Sequence, residues 1–69
     1  MSVGERIKQA REQGDMSQSE LARAVGVRPQ SVQQWERGET APRGKRMDAI
    51  ASALAVDKLW LVLGAEAPK

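Results

Sequence analysis

The sequence predicts an all-α protein, a compact bundle of five short helices. Three observations carry this reading. Apolar residues recur at the three- and four-residue spacing of one helical face. The periodic stretches are bounded by Ser, Asp or Pro at their starts and by Gly at their ends. The gaps between them are short and hold the turn residues, which suits a helical bundle.

Taken in order, the first helix spans about Val3 to Gln13, with Val3, Ile7 and Ala10 on one face and charged residues around the rest. Gly14 then offers a left-handed stop. The second start is the clearest signal in the chain. Ser17-Gln18-Ser19-Glu20 is a capping box, in which the Ser17 hydroxyl accepts from the Glu20 amide and Glu20 reaches back. Met16 and Leu21 flank it as a hydrophobic staple. Leu21, Ala22 and Val25 form the apolar face, and Gly26 ends the helix. Pro29 opens the third helix, where its missing amide costs nothing. Val32 and Trp35 point inward, and Gly38 closes it. After a proline-bearing loop from Glu39 to Gly44, Lys45 to Leu54 is amphipathic through Met47, Ile50, Ala51 and Leu54. Asp57 caps a last short helix, Lys58 to Leu63, stopped by Gly64. Residues 1–64 therefore read as one domain, and 65–69 as a flexible tail or the start of a linker.

Composition removes whole classes of function. The chain has 69 residues, no Cys and no His. Disulfides, thiolate nucleophiles, imidazole acid–base pairs and the usual zinc sites all need one or the other. No activated nucleophile, phosphate loop or metal cluster stands out either, so the expectation is a non-enzymatic binding module with no catalytic residue, no metal and no cofactor. No small-molecule pocket is legible. The longest aliphatic and aromatic run, Leu59 to Leu63, is far below the ~20 residues that span a bilayer. Glu5, Arg6, Lys8 and Arg11 occupy the place of a signal peptide's apolar stretch. The expected location is cytoplasmic, without membrane contact.

The net charge of +2 says less than its distribution. Residues 1–26 balance to zero and residues 47–69 to −1, whereas 27–46 carry +3 through Arg28, Arg37, Arg43, Lys45 and Arg46 against Glu36 and Glu39. A basic middle third suits a polyanion, and equally describes an ordinary solvated face.

The second and third helices, separated only by Gly26, Val27 and Arg28, have the layout of a helix-turn-helix. Angles sharpen this. At about 100° per residue, with Val32 at 0°, the mean of Val32 and Trp35 puts the outward direction near 150°. Gln30, Gln33, Gln34 and Arg37 fall within about 50° of it. Glutamine offers a donor and an acceptor together, matching an adenine edge, and arginine matches guanine edges or phosphates. A merely solvated helix would mix in more Lys and Glu. Trp35 lies on the inward side, which makes it a core residue and not a base-stacking one.

The stretch from Ser17 to Pro42 resembles the DNA-binding domain of lambda-like phage repressors and Cro proteins. The similarity rests on Gln18, Leu21-Ala22, Val25-Gly26-Val27, Gln34-Trp35-Glu36-Arg37-Gly38 and Pro42, with Ile50-Ala51, Ala53-Leu54, Trp60-Leu61 and Gly64 beyond. It covers about residues 3–64 and implies a lambda-repressor-like fold. The resemblance implies a sequence-specific regulator that binds a double-stranded operator as a dimer, the third helix lying in the major groove. Gln30 and Gln34 match base-reading positions, with Gln33 close enough to join them. Ser17 and Gln18 match a phosphate contact at the second helix's N-terminus. Arg37, Thr40 and Arg43 match backbone-contacting positions, and Lys45 adds charge nearby. Arg11 and Glu36 match a partly buried structural ion pair. The chain departs from the family at Arg28, where Ser or Thr usually caps the third helix, and at Pro29, where some members read a base with glutamine. The Pro29 ring retains apolar contact with a thymine methyl as its one route to readout.

The last helix supports self-contact from its own residues. Leu59 to Leu63 is apolar all round, more than one core stripe needs, and Leu59 and Leu63 share a face. They either fill the monomer's core or bury against a second copy, and the second copy is the expectation. Some Cro proteins carry a β-hairpin in this half, but Met47 to Leu54 has the helical period and supplies no partner strand. The alternative function is that of a helix-turn-helix antitoxin or regulatory subunit whose main partner is another protein. Such a binder needs an exposed apolar patch in residues 28–46, where this chain has Gln and Arg.

Overall fold

The computed structural model describes residues 2–64. It holds α1 (Val3–Gln13), α2 (Gln18–Val25), α3 (Pro29–Arg37), α4 (Lys45–Leu54) and α5 (Lys58–Leu63), with no strand among the described residues. The tail expected over 65–69 lies outside the described residues.

The core is built by one fully buried side chain from each helix. Ile7, Leu21, Val32, Ile50 and Leu61 are each 0% exposed. Ala22, Trp35, Met47 and Ala51 close around them. Trp35 is buried, so its ring belongs to the core. Truncating any of the five large aliphatics to Ala costs about 2–5 kcal/mol in a site that cannot collapse.

Caps account for the starts. Ser17 accepts from the Glu20 amide at 3.0 Å, and Glu20 accepts from the Ser17 amide at 2.9 Å. The Ser17 amide, then its hydroxyl, holds the Glu20 carboxyl below its usual range. The contribution of this box is therefore complete above the ordinary carboxylate range and is lost as pH falls through the lowered value. An equivalent box at α1, Ser2 with Glu5, was not legible as a helix start, because no apolar residue marks it as strongly. Asp57 accepts from the amides of Leu59 and Trp60. Arg28 supplies no side-chain cap to α3, where Pro29 occupies the first turn.

Gly26, Gly38 and Gly64 take the left-handed conformation that ends α2, α3 and α5. Gly14 does not. Its φ is −90°, and the left-handed residue is the next one, Asp15, at φ 54°. The Gly14 amide continues the helical bonding to Ala10, so the chain reverses one residue later, at a short polar residue that tolerates this conformation. Ala55 closes α4 at φ 56°, a position where a side chain costs about 1–2 kcal/mol and which no sequence pattern announced.

Two long-range contacts fix α1 in place. Arg6 is buried although it carries charge, because its guanidinium donates to the carbonyls of Leu61 at 2.8 Å and Val62 at 3.0 Å. It thereby donates to carbonyls in the last turn of α5, with the favourable charge for that end of the dipole. Gly4 lies against the last turns of α3 so closely that an added Cβ would sit 2.1 Å from the Trp35 carbonyl oxygen.

Candidate nucleic-acid interface

The α2–α3 pair forms one face of the molecule. Gly26 at φ 84° turns the chain at the end of α2, and Pro29 begins α3 three residues later. With Val32 and Trp35 buried beneath, Pro29, Gln30, Gln34 and Arg37 are exposed, and Gln33 is half-buried. The angular argument thus agrees with the exposure of α3. Its outward face is glutamine and arginine, with no large apolar group among the exposed side chains.

Beside this face lies an open cleft of about 590 Å³, lined by Lys8, Arg11, Ser17, Gln18, Gln33, Glu36 and Arg37. It combines the N-terminus of α2, whose first amides have no helical acceptor, with three cationic side chains against one carboxylate. The Ser17 hydroxyl is occupied by Glu20, accepting from its amide and turned toward its carboxylate, so the free amides at the start of α2 and the cations are what this cleft offers an anion. Lys8 belongs to this cleft and was missed as a site residue, since its place beside α2 depends on how α1 packs.

Past Gly38 the loop is anchored by buried Pro42, while Thr40, Arg43 and Lys45 are exposed. Arg43 and Lys45 line a second, smaller cleft with Arg46, Val25 and Ala49. Arg46 joins the group of cations there. The signal was present in the sequence as the closely spaced Arg43, Lys45 and Arg46. Arg37 pairs loosely with Glu39 at 3.7 Å, both side chains being more than half exposed, a contact worth ~0–1 kcal/mol and readily exchanged for a phosphate.

The Arg11–Glu36 pair lies between this surface and the core. Arg11 Nε donates to Glu36 Oε2 at 2.7 Å and Nη2 to Oε1 at 3.0 Å, with side-chain exposures of 11% and 5%. Hydrogen bonding to Glu36 raises the already high pKa of Arg11, so the guanidinium keeps its charge. Its Nη1 also holds the Met16 carbonyl, just before the α2 cap. Gln18 Nε2 adds a third side-chain donor to Glu36 at 3.0 Å.

Leu59 and Leu63 are 53% and 68% exposed, while Leu61 between them is fully buried. Neither fills the monomer's core. An ion pair, Lys58 with Asp48 at 2.7 Å, sits at the start of the same helix.

Residues 7–61 match the profile of a family described as "Helix-turn-helix". The chain belongs to this family. The helix-turn-helix domain is 36% identical over 66 residues to the HTH-type transcriptional regulator DicA of Escherichia coli (strain K12), covering 96% of this chain and 49% of DicA. It is 37% identical over 62 residues to repressor protein C2 of Salmonella phage P22, covering 90% of this chain and 29% of that protein. A crystal structure of the P22 c2 repressor in complex with a synthetic operator superposes with a TM-score of 0.90 at 35% identity, covering 94% of this chain and 98% of that one. The chain thus spans about half or less of these curated relatives' lengths, and the resemblance to lambda-like phage repressors holds throughout the helical domain. Among the described residues, no helix is long and apolar enough to cross a membrane.

Proposed function

We propose that this helix-turn-helix domain is the DNA-reading part of a sequence-specific transcriptional regulator, a repressor or Cro-like protein of phage or prophage type. It binds a two-fold double-stranded operator as a dimer, with α3 in the major groove. The observation that carries this reading is the exposed Gln30, Gln34 and Arg37 on the outward side of α3, with one cation-lined cleft beside them and a second between the end of α2 and the start of α4. Gln30, Gln33 and Gln34 read base edges and Pro29 touches a thymine methyl. Ser17, Gln18, Arg37, Thr40, Arg43 and Lys45 hold the phosphate backbone and set the register. The operator-bound P22 relative supports the reading, because the two folds superpose over 94% of this chain.

Reading and steering are separable. Gln34→Ala is expected to cost about 1–3 kcal/mol on the operator, the worth of one bidentate base contact. It leaves the salt dependence nearly unchanged, since no charge is lost. Arg43→Ala weakens operator and unrelated duplex alike, and flattens the slope of log affinity against log salt by ~0.9 per lost phosphate contact in each subunit. Binding isotherms for both variants at several salt concentrations test this. Equal losses for Gln34→Ala on both duplexes, or an unchanged slope for Arg43→Ala, would reassign the two groups.

The dimer is proposed from Leu59 and Leu63, whose exposed side chains share one face of α5. Leu63→Glu is expected to weaken self-association and operator binding while leaving helical circular dichroism intact, because Leu63 lies outside the core. Sedimentation of the DNA complex reads the stoichiometry. A folded variant that still binds as a pair would move the dimer contact elsewhere.

A further inference from the structure

The buried ion pair does more than join two helices. Glu36 sits near the end of α3 with its carboxylate almost wholly enclosed, and Oε1 accepts from both Arg11 Nη2 and Gln18 Nε2, each at 3.0 Å. A carboxylate has no proton to give. It therefore dictates which end of the Gln18 amide turns inward: the nitrogen faces Glu36, and the carbonyl oxygen cannot. Without this partner, a glutamine at the first position of a helix would exchange its two ends freely, and the inward one would be undetermined.

Gln18 also lines the open cleft, together with Lys8, Ser17, Gln33 and Arg37. Its amide nitrogen carries two protons, of which Glu36 takes one. The second belongs to an amide that is already held in place. We infer that Glu36 is a positioning residue for the DNA backbone, orienting the Gln18 amide as a fixed donor to a phosphate in the Lys8–Ser17–Arg37 cleft. This rests on the DNA-binding reading of the same surface. Arg11 has a matching part. It cancels the charge of Glu36, so that a carboxylate can line a phosphate cleft without repelling the ligand, and it locks Glu36 through two bonds of its own. The pair links core packing to phosphate contact, and its full effect on binding passes through Gln18.

The test is a double-mutant cycle on affinity for a 20-base-pair duplex of arbitrary fixed sequence at low salt, since a phosphate contact does not depend on base sequence. Glu36→Ala alone strands Arg11 and risks unfolding. The background is therefore R11M/E36M, which removes both charges together, keeps similar volume and leaves net charge unchanged; replacements of this kind often preserve stability. In the native background, Gln18→Ala is expected to weaken duplex binding about three- to tenfold, the range of one net hydrogen bond. In the folded R11M/E36M background the same substitution should change affinity less than twofold. The spectrum of the side-chain amide gives an independent readout: the two Gln18 amide protons should be well separated in the native protein and move toward free-glutamine positions in R11M/E36M. Equal effects of Gln18→Ala in both backgrounds would overturn the inference and leave the pair purely structural. If R11M/E36M does not fold, the amide-proton separation in the native protein decides alone, and free-glutamine positions there overturn it. Failure of the native protein to bind any duplex at low salt would instead remove the DNA reading itself.

Discussion

Glu36→Ala is expected to destabilise the domain by about 3–5 kcal/mol, the cost of removing one partner from a buried ion pair. The substitution leaves Arg11 Nε and Nη2 without acceptors in a site where the guanidinium is 11% exposed. It also strands the Gln18 amide. Arg11 cannot escape by losing its proton, because a guanidinium stays protonated in proteins even without its carboxylate partner. The bond from Nη1 to the Met16 carbonyl survives but satisfies only one of the fork's donors. A loss of this size is large for a chain so short, whose total stability is on the order of 0.05–0.15 kcal/mol per residue. Urea denaturation of the single variants Glu36→Ala and Arg11→Ala and of the double variant measures the coupling. The double variant should be less destabilised than the sum of the singles. Additive losses would mean that the two side chains act independently.

Gly4→Ala should also destabilise the domain strongly. Its Cβ would fall 2.1 Å from the Trp35 carbonyl oxygen and 3.1 Å from the Glu36 Cα. Both are backbone atoms of α3, so relief cannot come from a side chain rotating away. Either α1 lifts from α3, or the end of α3 shifts. Overpacking of this kind costs about 1–3 kcal/mol when side chains can move, and the upper end is expected here. In a domain of this size, 1 kcal/mol lowers the midpoint by ~4–8 °C. Thermal unfolding followed by circular dichroism is the check. Alanine is the best helix former, so in an unconstrained helix the change would instead raise the midpoint. A melting temperature equal to or above that of the native chain would mean that α1 and α3 do not meet so closely.

What was legible in the sequence follows the range of the interactions. The starts of α2 and α5 depend on residues within one turn of each other, Ser17 with Glu20 and Asp57 with Leu59, and the expected spans of the five helices coincide with the structure. The outward face of α3 followed from the helical period once Val32 and Trp35 were taken as buried. Three features depend on packing between helices and carry no local signature. Gly4 reads as an ordinary residue in the first turn until α3 is laid against it. Arg6 reads as a solvated cation among other charges, yet it is buried against carbonyls 55 and 56 residues away. Gln18 reads as a phosphate donor by its place at the start of α2, but its tie to Glu36 exists only because α2 and α3 converge. Gly14 shows the reverse case, a local signal set aside because the neighbouring Asp15 accepts the left-handed turn.

Reading of DNA by α3 as a two-fold pair is tested most directly by selecting bound duplexes from a random pool with the native chain. Enriched sequences should share a two-fold site whose half-sites are centred about one helical turn, ~10 base pairs, apart, each half-site engaging one copy of α3. Gln34→Ala should relax the preference at one position in each half-site and leave the others unchanged. Capture of DNA without any enriched sequence, or enrichment of a site with no two-fold relation, would contradict it.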